Sequence, residues 1–185
     1  MNDLFVDIVL LSDMEKAAPL CISAVYFDMS TGALGEEIFV KIDPESCRSV
    51  GLDVYSEDLR YWMGKQRYGV DLLSEENRTS LRLAIHLLSG FAFFTPEANF
   101  ISREGGLNVW GCNLPTILDC FAAMKAKSLW DRSRFRDFPT LVQVGERAGL
   151  KWTEKEEMHP LDVAKEKARY TVRLFNSIRP ILRLV

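Results

Sequence analysis

At 185 residues with a hydrophobic fraction of 48%, the chain has the size of one compact domain, spanning 1–185, and enough apolar side chains to close a core, which excludes a disordered protein. No apolar run reaches the ~18 residues of a membrane span, and the N-terminal Met1-Asn2-Asp3 is acidic where a secretory leader is basic, so a soluble cytoplasmic protein with no membrane partner is expected. The net charge of −3 conceals a division: residues 1–124 hold 9 Lys/Arg against 18 Asp/Glu (−9), whereas residues 125–185 hold 14 against 8 (+6). A basic C-terminal surface suits contact with nucleic acid, and charged helix faces of differing sign give the same numbers.

In chain order, Leu4–Leu11 is an apolar run broken only by Asp7 and predicts a buried central strand. Cys21–Phe27 predicts a second strand, Asp28-Met29-Ser30-Thr31-Gly32 a turn, and Glu37–Ile42 a third strand in which Ile38, Val40 and Ile42 alternate with Glu37, Phe39 and Lys41. These three form a meander. A short helix is expected over Asp58–Gln66, presenting Leu59, Trp62 and Met63. A long one is expected over Ser74–Phe94, capped by Ser74, with Leu81, Ile85, Leu88 and Ala92 at helical spacing. Leu107–Gly111 follows as a fourth strand after Gly105-Gly106, then helices over Leu114–Lys127 and Phe138–Ala148, the latter stopped by Gly149. A last helix starts near Pro160 with Leu161, Ala164, Ala168, Val172 and Phe175 on one apolar face, interrupted at Pro180. The pattern is that of an α/β sheet flanked by helices.

Asp7 does not fit a plain core. A carboxylate inside an apolar run is expensive unless it is paired with Lys or Arg, hydrogen-bonded or bound to metal. The cysteines, Cys21, Cys47, Cys112 and Cys120, form no C-x-x-C pair, which argues against zinc, and Cys21 and Cys120 read as buried thiols.

Four stretches place Asp7 in a wider pattern: Leu4-Phe5-Val6-Asp7-Ile8, Ile22–Asp28 with Thr31–Glu37, Val109-Trp110-Gly111-Cys112-Asn113, and Leu161-Asp162-Val163-Ala164 with Ala168-Arg169-Tyr170. A weaker echo lies at Phe135–Val142. In this order they resemble the DEDDh 3′–5′ exonucleases of the ribonuclease-H-like superfamily, in particular the Rv2179c-like exoribonucleases, a phage and bacterial branch also found with recombination exonucleases of the exonuclease VIII kind. The resemblance implies a ribonuclease-H-like mixed sheet with an N-terminal three-strand meander.

It also implies a chemistry. Such enzymes cleave phosphodiesters with two divalent ions, Mg²⁺ or Mn²⁺, held by an Asp-x-Glu pair on the first strand, an Asp on the helix after the Trp-Gly strand and an Asp on the last helix, with a His as general base. Asp7 matches the first ligand. The Glu position is Val9. Asp119 stands about one turn late on its helix. Aligned on Leu-Asp-x-Ala, the final ligand is Val163, Asp162 matches its neighbour, and His159 is one residue too close. The expectation is therefore a pseudo-enzyme without a metal cofactor, kept to bind a single-stranded 3′ end or a nuclease or repair protein. The alternative is an active enzyme rebuilt around Asp7, Asp119, Asp162 and one of Glu154, Glu156 or Glu157. Homodimers and a phage or prophage source are implied by the resemblance alone.

Outside these stretches, His86 reads as structural. Phe91, Phe93, Phe94 and Phe100 read as core rather than a stacking platform. Trp130 and Trp152 flank Arg132, Arg134 and Arg136, a grouping that suits stacking on single-stranded nucleic acid and equally a half-buried loop with snorkelling arginines.

Overall fold

The structure is a computed structural model of the chain, and it describes residues 2–14, 16–64, 71–94, 107–125, 132–153 and 158–182. Three strands form the expected meander, β1 (Asp3–Leu10), β2 (Pro19–Phe27) and β3 (Leu34–Ile42), each antiparallel to the next. Then follow α1 (Pro44–Arg48), α2 (Ser56–Gly64), β4 (Arg78–Thr79), α3 (Leu81–Phe94), β5 (Asn108–Gly111), α4 (Leu114–Ala123), β6 (Phe135–Asp137), α5 (Phe138–Arg147) and α6 (Pro160–Leu182). The six strands make one mixed sheet in the order β4-β3-β2-β1-β5-β6, with β5 parallel to β1 and β6 parallel to β5. This is an α/β fold of the ribonuclease-H-like kind.

Alternation along β1 divides the core in two, because successive side chains leave opposite faces of a strand. Leu4, Val6 and Ile8 face one way and join Ile22, Ala24, Val40 and Ile42 under α1, α3 and α4. Phe5 faces the other way, with Val25, Phe27 and Trp110, beneath Phe138 of α5 and the Ala164, Ala168 and Val172 stripe of α6. Asp3, Asp7 and Val9 share Phe5's face by register.

Local chemistry explains several junctions. The Asp28 carboxylate accepts hydrogen bonds from the amides of Ser30 and Thr31 at 2.9 and 2.8 Å and closes the β2–β3 turn, where Gly32 has a positive φ. Gly111 ends β5 because a Cβ there would sit 1.9 Å from the Val6 carbonyl oxygen, so only glycine lets β5 lie this close to β1. Asp137 caps α5 by accepting from the Thr140 amide at 2.9 Å, and Gly149, at φ +81°, follows its C-cap as expected.

The structure corrects the sequence reading at the long helix. It begins at Leu81, and Ser80 rather than Ser74 caps it, accepting from the Leu83 amide at 3.3 Å. Upstream, Asn77 turns the chain at φ 58° and Arg78–Thr79 pairs with Lys41–Ile42 of β3, so backbone pairing at the sheet edge overrides helix propensity. The Ser74 hydroxyl instead meets the Lys41 ammonium at 2.8 Å.

Three other helices also differ. α2 spans Ser56–Gly64 and buries none of its residues; Met63 is 64% exposed, while Trp62 donates to the Leu11 carbonyl at 2.8 Å. α4 stops at Ala123, and Lys125 takes a positive φ. α6 runs through Pro180, where proximity to the helix end limits the loss of ladder bonds. The strands β4 and β6 are too short to show a period, and no sequence signal announces them.

Candidate functional site

Asp7 lies at the middle of β1, opposite Ser23 of β2, and is 5% exposed. Its partner comes from α6. Lys167, 6% exposed, places its ammonium 2.9 Å from Asp7 Oδ1 and 3.0 Å from Oδ2, so one cation engages both carboxylate oxygens. The same nitrogen stands 3.5 Å from Cys112 Sγ, just beyond β5, and 5.8 Å from the centroid of the Phe138 ring.

The helix is built to deliver this lysine. Ala164 and Ala168 are fully buried and let α6 lie close on the sheet, and the Thr171 hydroxyl donates to the Lys167 carbonyl at 2.9 Å. The surroundings suit a buried ion pair: bidentate geometry, a polarizable sulfur and an aromatic face offset the desolvation that both ions suffer. Ser23, fully buried beside them, has a hydroxyl oxygen with no hydrogen-bond partner among the described residues.

A second buried carboxylate opens the same strand. Asp3, 8% exposed, accepts from the Trp110 indole at 2.8 Å and from the Asn108 side-chain amide at 3.2 Å. Burial pushes its pKa above the usual carboxylate range, against the lowering effect of those two donors. The tryptophan of the Trp-Gly strand thus holds the start of β1. Burial likewise pushes the Cys47 and Cys120 thiols up to about 12 and raises Cys21, which makes these three inert as nucleophiles.

The remaining candidates do not converge on Asp7. Val9 and Val163 are half-buried; Val9 is two residues along β1 on Asp7's face, and Val163 is one turn before Lys167 on α6. Asp162 is exposed and lies 3.5 Å from the Lys165 ammonium, which also binds Glu37 of β3 at 2.7 Å. That bond to Glu37 is the main cause holding the Lys165 pKa up. Asp119 is exposed on α4, whose buried side chains pack on the sheet face away from Asp7. His159 sits just before α6: its Nδ1 accepts from the Leu161 amide at 3.2 Å, and its ring meets Phe39 at 4.4 Å between centroids. Glu154, Glu156 and Glu157 lie outside the described residues.

Hard divalent cations require several oxygen ligands. Among the described residues no group of three or more His, Cys, Asp or Glu side chains is placed to hold a metal ion. Among the described residues Asp7 has beside it one ammonium that already engages its carboxylate, one half-buried thiol and the apolar Val9 and Val163, a set that does not fit two magnesium or manganese ions.

The basic region is distributed over a turn and a strand. Arg132 opens a 3-10 turn, Arg134 is half-buried, and Arg136 on β6 is exposed and donates to the Ser133 and Phe135 carbonyls at 2.8 and 3.1 Å. Trp152 is half-buried and packs against the core, edge-on to Phe138 at 5.3 Å and to Tyr170 at 5.5 Å. Phe91 packs on Tyr26 at 5.2 Å, and His86 is exposed on α3. Trp130, Phe100 and the side chains of Phe93 and Phe94 lie outside the described residues.

Sequence reasoning passed over Lys167, Asp3 and Ser23. A signal for Lys167 existed: it stands three residues after Ala164 and four before Thr171, within a small-residue stripe of α6 where a charge is as anomalous as Asp7 is in β1. Two complementary anomalies on the two innermost elements predict a pair.

No curated protein matches the chain. The family model for the 3′–5′ exoribonuclease Rv2179c-like domain matches residues 2–175, nearly the whole sequence and every element from β1 to the middle of α6. The chain therefore belongs to the Rv2179c-like 3′–5′ exoribonuclease domain family.

Proposed function

We propose that this domain binds single-stranded nucleic-acid 3′ ends without cleaving them. The observation that carries the reading is the Lys167 ammonium held between both oxygens of Asp7, which leaves the first-strand aspartate neutralised from within. Two-metal phosphodiester cleavage needs that carboxylate open to cations, with others beside it. Membership of an exoribonuclease family supports nucleic acid as the partner. The net +6 of residues 125–185 supplies the long-range attraction. A cytoplasmic location, a homodimer and a phage or prophage source belong to the same proposal and rest on resemblance.

A second reading, in which the partner is a nuclease or repair protein, is favoured by α2. This helix buries none of its residues and exposes Tyr61 and Met63.

The test is incubation with 3′-overhang DNA and RNA, with Mn²⁺ or EDTA, beside an Asp7→Ala variant. Salt-sensitive binding of the strand without shortening, equal in Mn²⁺ and EDTA, is expected. Metal-dependent shortening that disappears in Asp7→Ala sinks the proposal and leaves an active exonuclease with a metal site rebuilt from Asp7, Asp119, Asp162 and one of Glu154, Glu156 or Glu157. Absence of any strand binding at low salt moves the function to the protein partner.

A further inference from the structure

Asp7 and Lys167 are 160 residues apart in sequence, and both are more than nine-tenths buried. An isolated ion of either sign would be untenable there, so each residue is the condition for the other. The nitrogen is surrounded as a bound cation would be: two carboxylate oxygens at 2.9 and 3.0 Å, a sulfur at 3.5 Å and an aromatic face at 5.8 Å. These contacts come from β1, the residue just past β5 and the start of α5, so one ammonium joins three parts of the fold to α6.

We propose that Lys167 is a resident cation: its ammonium takes the place at Asp7 that a divalent ion would take, and fastens α6 to the sheet without any metal. The mismatch between this donor set and a magnesium or manganese site goes together with a positive charge that Lys167 supplies covalently. A tethered ammonium cannot dissociate, so its place is filled at every metal concentration. The fold is stabilised in chelator as well as in metal, and no exchangeable ion competes at Asp7. This inference concerns what the residues bind, and it stands whether or not the domain meets nucleic acid.

Thermal unfolding of the full chain in Mn²⁺ and in EDTA tests it without an oligonucleotide. The wild-type Tm should be the same in both. Lys167→Met keeps the stem and deletes the charge, leaving Asp7 buried and unpaired; its Tm should fall by roughly 10 °C. The double variant Asp7→Leu/Lys167→Met removes both ions, and most of that loss should return. Lys167→Asp sets a second carboxylate across from Asp7 with room between them. It should be destabilised in EDTA and regain a measurable part of its Tm in Mn²⁺.

A wild-type Tm that rises in Mn²⁺ overturns the proposal, as does a Lys167→Met protein with the wild-type Tm. A folded Lys167→Asp protein indifferent to Mn²⁺ overturns the claim that the nitrogen stands in a cation's place. If Lys167→Asp does not fold, the wild-type and Lys167→Met measurements still decide.

Discussion

The two faces of the sheet are built by different rules. Beneath α1, α3 and α4 the core is almost wholly aliphatic, from Leu4, Val6 and Ile8 through Ile22 and Ile42 to Leu81, Ile85 and Leu88. Beneath α5 and α6 the same strands bury Asp3, Asp7, Ser23 and Lys167 among aromatic rings. The aliphatic face draws its stability from area and packing, which many sequences supply. The polar face depends on specific partners, and a buried charge or hydroxyl there is as stabilising or as costly as its hydrogen bonds make it. Asp3, Asp7, Ser23 and Lys167 all lie on that one face.

Substitutions can break this contrast or sharpen it. Where β5 meets β1, Gly111→Ala drives a methyl into the Val6 carbonyl and parts two central strands that serve both faces. A loss of more than about 4 kcal/mol is expected, read as a protein that is insoluble or unfolded by circular dichroism at room temperature. A well-folded variant would show that the strands can separate without harm.

On the polar face, Lys167→Met should cost about 3–5 kcal/mol in urea unfolding, with Asp7→Leu/Lys167→Met returning to within about 1–2 kcal/mol of the wild type. On the aliphatic face, Leu88→Ala, at a position 1% exposed, should cost about 3 kcal/mol. No single polar-face substitution should restore it, because a cavity has no partner to remove. Additive losses for Asp7 and Lys167 would erase the contrast.

Ser23→Ala sharpens it from the other side. The buried hydroxyl has no hydrogen-bond partner among the described residues, so deleting it should leave stability unchanged or raise it by about 1 kcal/mol in the same urea assay. A loss above about 1 kcal/mol would show that the hydroxyl is satisfied in solution.

The smallest effect lies at the β2–β3 turn. The Ser30 hydroxyl, then the Thr31 amide, hold the Asp28 pKa down to about 2 from its usual 3.8. A depressed folded-state pKa means that the contribution is present above the unfolded value and is lost as pH falls from about 4 towards 2. Asp28→Asn should lose a small contribution at neutral pH, match the wild type below about pH 2, and so flatten the acid limb of the stability profile between them; an identical acid limb would contradict the turn geometry.

Much of this was legible residue by residue. The meander was readable because its strands are apolar or alternate, and Asp28–Gly32 carries its own turn chemistry. Leu81, Ile85, Leu88 and Ala92 declared the buried face of α3 by spacing alone. Asp7 announced itself as a carboxylate in an apolar run. Other features had no local cause. The start of α3 depended on Arg78–Thr79 finding the edge of β3, and those two residues are too few to show a period. For Trp152 the sequence left stacking on nucleic acid and a half-buried loop both open, and the packing of its ring edge-on to Phe138 and Tyr170 favours the second.

The sequence by itself determined the α/β class, the sidedness of the strands and the presence of one carboxylate that the core must neutralise. These follow from short-range periodicity and from the energy of burying charge, both local properties. Only the tertiary structure decided what neutralises it. Lys167 and Asp7 meet because α6 crosses the sheet at a particular depth and rotation, fixed by Ala164 and Ala168 against the strands. The local sequence marks each residue as a charge out of place in an apolar stripe, but the geometry of their meeting acts only through space, after the helix has docked.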